Sequence, residues 1–143
     1  MRLSCQKFIF AVLVATLACS DNSGPPSITA GFSLDNVDGR PLPTFDSPIP
    51  EAPTILSVTL QFEASGFVVM TERRQDITRG EFTTTSTLDY KMTGPFIEIG
   101  CFRGLPIVAC PHYAAILSGD GLSLTDLPSQ SVIYNYTQFA SAL

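Results

Sequence analysis

The sequence predicts an all-β fold, an antiparallel meander barrel or half-barrel of about eight short strands, and three observations carry that prediction. After residue 30, apolar and polar residues alternate with a period of two; no segment there sustains a 3.6-residue period; and short turns rich in Gly, Asp and Pro separate the segments. Strands joined by such short turns are antiparallel neighbours, because parallel pairs need a long crossover. Closing the meander also removes unpaired edges that would aggregate. The length of 143 residues allows one domain and argues against two.

The chain opens on an export signal. Arg2 and Lys7 stand with no acid near them, and Phe8 to Ala18 is an uncharged apolar run of eleven, followed at once by Cys19. A membrane-spanning helix needs about 20 apolar residues, so this run reads as the core of a secretory signal, residues 1–18. Loss of Arg2 and Lys7 takes the formal charge from -5 to -7. No clustered basic face is left for nucleic acid. Residues 19–30 follow as a tether (S-D-N-S-G-P-P-S-I-T-A after the cysteine), rich in turn formers. The barrel domain is expected over 31–138, with a short tail at 139–143.

Gly31 to Val37 is the first expected strand. Five prolines then fill Pro41 to Pro53, which must be an extended crossing and, on a functional reading, a lid over one barrel mouth. From Ile55 the alternation is clean, with Leu56, Val58, Leu60 and Phe62 expected to face one way. Ala64-Ser65-Gly66 turns the chain into Phe67 to Glu72, and Arg73 to Gly80 reads as a solvated loop tip. Glu81 to Met92 places Phe82, Thr84, Ser86, Leu88, Tyr90 and Met92 on one face, and its threonines suit a strand. Thr93-Gly94-Pro95 ends it. Phe96 to Cys101, then Val108 to Cys110 and His112 to Ser118 broken at Pro111, then Leu122 to Thr125 after Gly119-Asp120-Gly121, and finally Ser131 to Thr137 complete the series. Leu56, Val58, Leu60, Phe62, Phe82, Leu88, Tyr90, Leu122 and Leu124 are the expected inward residues.

The residues A-T-L-A-C ending at Cys19 resemble the lipobox of bacterial lipoproteins, although Thr16 and Leu17 depart from its commonest form. The resemblance implies diacylglyceryl attachment to the Cys19 thiol and cleavage just before it. G-F-S-L-D-N-V-D-G-R-P-L-P (Gly31 to Pro43), T-L-Q-F-E-A-S-G-F (Thr59 to Phe67) and G-D-G-L-S-L-T (Gly119 to Thr125) stand in the order seen in small lipocalin-like bacterial lipoproteins, which they resemble. The order carries more weight than any one motif, and Asp38-Gly39 stands where Asn-Gly is common. That resemblance implies an eight-stranded barrel and no catalytic residue. It also implies a cell-envelope location, anchored to a membrane by lipid. Ser20 after the cysteine is what lipoproteins sorted to the outer membrane, facing the periplasm, usually show.

Few residues suggest chemistry. Cys101 and Cys110 lie on neighbouring expected strands in a compartment that permits disulfides, and the pairing leaves no orphan thiol. His112 is the sole histidine and has too few neighbouring ligands for a metal. Asp35, Asp38, Asp46, Asp76, Asp120 and Asp126 are explained by turn hydrogen bonding. Arg73, Arg74 and Arg79 are interleaved with Glu72, Asp76 and Glu81. No cofactor or metal is expected, and the expected function is non-enzymatic. Two readings stand: a barrel that holds a small apolar ligand against Phe62, Phe82, Thr84, Ser86 and Tyr90, or a filled barrel that serves as a structural or protein-interaction domain. An envelope hydrolase comes third.

Overall fold

A computed structural model describes residues 28–45, 52–103, 110–127 and 132–139. The signal, Cys19, most of the tether, the middle of the proline-rich segment and the end of the tail lie outside them. The described chain forms nine strands: β1 (Ala30–Val37), β2 (Arg40–Pro41), β3 (Thr54–Phe62), β4 (Phe67–Asp76), β5 (Gly80–Thr93), β6 (Phe96–Gly100), β7 (His112–Ser118), β8 (Gly121–Leu127) and β9 (Ile133–Phe139). Every pairing is antiparallel, each long strand joins the next, and β1 pairs with β9 to close a lipocalin-like eight-stranded meander barrel. The short β2 is the extra strand, hung on the end of β1.

Local chemistry sets the turns. Asp38 and Gly39 both have positive φ, the combination a tight two-residue hairpin turn requires, so the β1–β2 reversal needs Gly there. Asp38 also ties this turn to β9: its Oδ1 accepts the Ile133 N–H at 2.7 Å, and its own N–H donates to the Ile133 carbonyl at 2.8 Å. In the β4–β5 turn, the Asp76 carboxylate accepts the N–H groups of Thr78 and Arg79 at 2.7 and 2.9 Å. The bond from the Thr78 hydroxyl and these backbone bonds hold the Asp76 carboxyl below its ordinary range.

Two inward assignments from the sequence need correction. A bulge between Ile55 and Ser57 shifts the β3 alternation, so Ile55 is buried and Leu56 only half-buried. Phe82 is likewise half-buried, because Gly80 to Leu88 pair with β4 alone while β6 joins only Asp89 to Thr93. The expected loop at Arg73 to Gly80 is also shorter than the sequence suggests. β4 continues to Asp76, its polar residues laddered against Thr83, Thr84 and Glu81. Strand pairing there does not depend on burial, so the loss of apolar alternation was no signal of a strand end.

The core packs Phe32, Val37, Ile55, Leu60, Phe62, Val68, Ile97, Ile99, Leu122 and Leu124, all buried. Phe32, Phe62, Val68, Ile97 and Leu122 of this core pack close to the end of the barrel that carries the β3–β4, β5–β6 and β7–β8 turns. Phe62 sits edge-on to both Phe32, at 5.8 Å between ring centroids, and Tyr90, at 5.1 Å. The Tyr90 hydroxyl donates to the Glu63 carbonyl at 2.9 Å and accepts the Ile28 N–H at 3.0 Å, so the first described residues plug this end.

Cys101 and Cys110 form a disulfide with their Cα atoms 6.1 Å apart, bracing the connection from β6 to β7. The bridge closes a loop of sequence separation 9. Chain entropy assigns such a loop about 2.5–3 kcal/mol. Replacing both cysteines with alanine should therefore lower the unfolding free energy by that amount, with an m-value no lower than the parent's, because the unfolded chain is released from the loop. An unfolding free energy equal to the parent's would show that the bridge constrains nothing in the unfolded chain.

Candidate functional site

Two concavities stand out among the described residues. The first is the barrel's own mouth, at the end carrying the β4–β5 turn. Strand alternation sends Met70, Glu72 and Arg74 of β4 inward there, facing Tyr113 of β7, Leu124 and Asp126 of β8, and Tyr134 and Tyr136 of β9. These residues enclose about 220 Å³. Met70, Leu124 and Tyr136 are buried, while charged and phenolic groups make up the rest of the lining. Arg74 Nε lies 3.3 Å from Glu72 Oε2. The sequence grouped Arg73 and Arg74 in one solvated tip, but adjacent strand residues face opposite sides. Arg73 points outward to Glu81, and Arg74 points into the mouth.

Burial pushes the Tyr136 phenol well above its ordinary value, and the nearby Glu72 charge adds to the shift. The ordinary phenol ionises near pH 10. Folding therefore gains a stability term that is complete below that value and is lost as pH rises toward the folded one. A tyrosinate absorbance titration should leave at least one of the four tyrosines silent until the barrel unfolds in alkali. Four phenols titrating together near pH 10, with the barrel still folded, would contradict it.

The second concavity lies outside the barrel. Phe96 pairs with Ile116, Ile116 with Ser123, and Ser123 with Asn135; one rung along, Glu98 pairs with Ala114, Ala114 with Thr125, and Thr125 with Ile133. Direct cross-strand partners share a face, so these two rungs form one outward surface. Small side chains at Ala114, Ser123 and Thr125 make its floor. Phe96, Ile116 and Ile133, exposed by 60, 50 and 45%, stand above it. The result is a groove of about 820 Å³, with Lys91 at one margin.

The residues that the sequence proposed as a cavity lining do not gather in either place. Phe62 and Tyr90 pack at the end that carries the β3–β4 turn. Ser86 is half-buried and Thr84 exposed, on the part of β5 that pairs with β4 alone. His112 faces outward, its Nε2 2.9 Å from Glu98 Oε1 and its ring edge-on to Phe102. Among the described residues no hydroxyl or thiol is hydrogen-bonded to that ring, and no three His, Cys, Asp or Glu side chains converge to hold a metal. Asp126, counted with the turn aspartates from sequence, lies on β8 and lines the mouth.

The corner after β6 is the most polar buried spot. Asp89 is 6% exposed, and its Oδ2 accepts the N–H groups of Phe102 and Arg103, both at 2.9 Å. Arg103 lies over the Phe67 ring, 4.7 Å from its centroid, and reaches the Ser65 carbonyl at 3.3 Å. Gly66 takes positive φ there, and a Cβ would come within 2.6 Å of the Arg103 guanidinium. These contacts fix the corner; none leaves a reactive group. Compared with protein-family models, curated proteins and solved structures, the chain gives no match.

Proposed function

We propose that the chain is a non-enzymatic, lipid-anchored module of the cell envelope that works as a filled barrel, docking an apolar segment of a partner protein in its outer groove. The groove itself carries this reading: of the two concavities, the larger and more apolar lies outside the barrel. A ligand pocket for a drug-sized apolar molecule usually offers about 300 Å³ or more. The mouth is smaller and mostly polar, whereas the groove is open along its length and suits an extended partner. The anchor rests on the apolar run before Cys19 and the lipobox resemblance, and with it the assignment to the outer membrane facing the periplasm.

Burying one Phe or Ile side chain is worth about 1.5–3 kcal/mol. Phe96→Glu together with Ile116→Glu should then abolish photo-crosslinking to the partner from a probe at Ser123, with the circular dichroism of the barrel unchanged. Undiminished crosslinking would end the groove reading. Fatty acids, isoprenoids and haem-like compounds should give no thermal shift. A saturable shift from any of them, erased by Ser86→Phe, would instead favour the small apolar ligand. For the anchor, Cys19→Ser should remove labelling by a fatty-acid analogue and release the protein from membranes.

A further inference from the structure

Among the described residues, the charges around the barrel mouth do not balance. Glu72 and Asp126 bring two negative charges and Arg74 one positive, and Arg74 is already engaged by Glu72. Among the described residues no hydrogen bond or ion pair reaches the Asp126 carboxylate, which lines the cavity beside Tyr113, its direct partner across β7 and β8. Tyr134 and Tyr136 complete the wall. Tyrosine ring faces carry negative electrostatic potential and attract cations within about 6 Å. We propose that this mouth binds a small organic cation, an alkylammonium whose charge meets Asp126 and whose carbon substituents meet the tyrosine rings.

Size and charge select this class. A volume of 220 Å³ equals the share of about seven water molecules, which admits a compact ammonium and excludes an acyl chain. An anion would face an uncompensated carboxylate while its natural partner, Arg74, is held by Glu72. A wholly apolar guest would strip water from Glu72, Arg74 and Asp126 without replacing its hydrogen bonds. The site is separate from the outer groove, so neither reading depends on the other.

The test is a titration of the full chain in detergent, followed by backbone amide shifts, with tetramethylammonium chloride and, separately, sodium acetate at matched ionic strength. Tetramethylammonium should move the amides of Leu124, Asp126, Tyr134 and Tyr136 saturably, and acetate should not. Asp126→Asn keeps the shape and removes the charge, and should weaken binding by about fivefold or more, as should Tyr134→Leu. Glu98→Gln, on the outer face, should leave it unchanged. Shifts that saturate with acetate, an absence of saturable shifts with tetramethylammonium, or full affinity in folded Asp126→Asn would each overturn the assignment.

Discussion

Phe62→Ala is expected to lower the free energy of unfolding by about 3–5 kcal/mol, the range for emptying a large aromatic site in a closed core. Phe62 is fully buried, and its ring is the centre of an edge-on series from Phe32 to Tyr90. Barrel walls are held by ladders on both sides, so they cannot collapse into the space as a loose helix pair can. The loss should therefore lie at the upper part of that range, exceeding the loss for Leu88→Ala. Urea titration of both variants decides it. A Phe62→Ala cost below about 2 kcal/mol would mean that this end of the core relaxes freely.

Asp89→Ala should cost about 2–4 kcal/mol, and the reason is not its ion pair. Arg103 Nε lies 3.2 Å from Asp89 Oδ1, but the arginine side chain is 57% exposed, so solvent screens the pair to about 1 kcal/mol or less. The two N–H groups of Phe102 and Arg103 bond the carboxylate directly, and hydrogen bonds to a charged group contribute about 1.5–3 kcal/mol each. Arg103→Ala should consequently cost well under half as much as Asp89→Ala. Equal losses in the two variants would show that the guanidinium, not the backbone, is what the carboxylate serves. Hydrogen exchange should locate the damage, with the amides of Phe102 and Arg103 losing protection first in Asp89→Ala.

Most of the strand series was legible because one face of each strand is buried and the other is wet. Val58, Leu60, Phe62, Leu88, Tyr90, Leu122 and Leu124 all stand in alternating positions and all are buried. Alternation fails as a guide where the physics departs from a flat ladder. The bulge at Leu56 adds one residue that no pattern of two can announce. The tip of β4, from Arg73 to Asp76, is wholly polar and reads as a loop, although it pairs residue for residue with β5. The mouth was illegible for a related reason. Glu72, Arg74, Asp126 and the tyrosines lie on four separate strands, and nothing within any one of them ties its residues to the others. Only the barrel's curvature turns them toward one another. The outer groove leaves no signal in the sequence, because Phe96, Ile116 and Ile133 lie on three strands and share a face only through strand register.

The seam between β1 and β9 has a consequence for how the molecule comes into being. Its rungs join residues about a hundred positions apart, as in the Asn135 Nδ2 bond to Asn36 Oδ1, at 2.9 Å across a sequence separation of 99. Every other ladder of the barrel can form as the chain lengthens, each hairpin adding to the last. This one must wait for the final strand, and distant pairings of this kind slow folding. A chain that crosses a membrane from its amino end would stand as an open, two-edged sheet until Phe139 arrived opposite Gly31. Truncation before residue 133 should therefore leave the sheet unsealed, exposing one edge each of β1 and β8. Joining the two ends by a short linker and opening the chain at the β4–β5 turn would move that seam to an interior position of the sequence while preserving every rung.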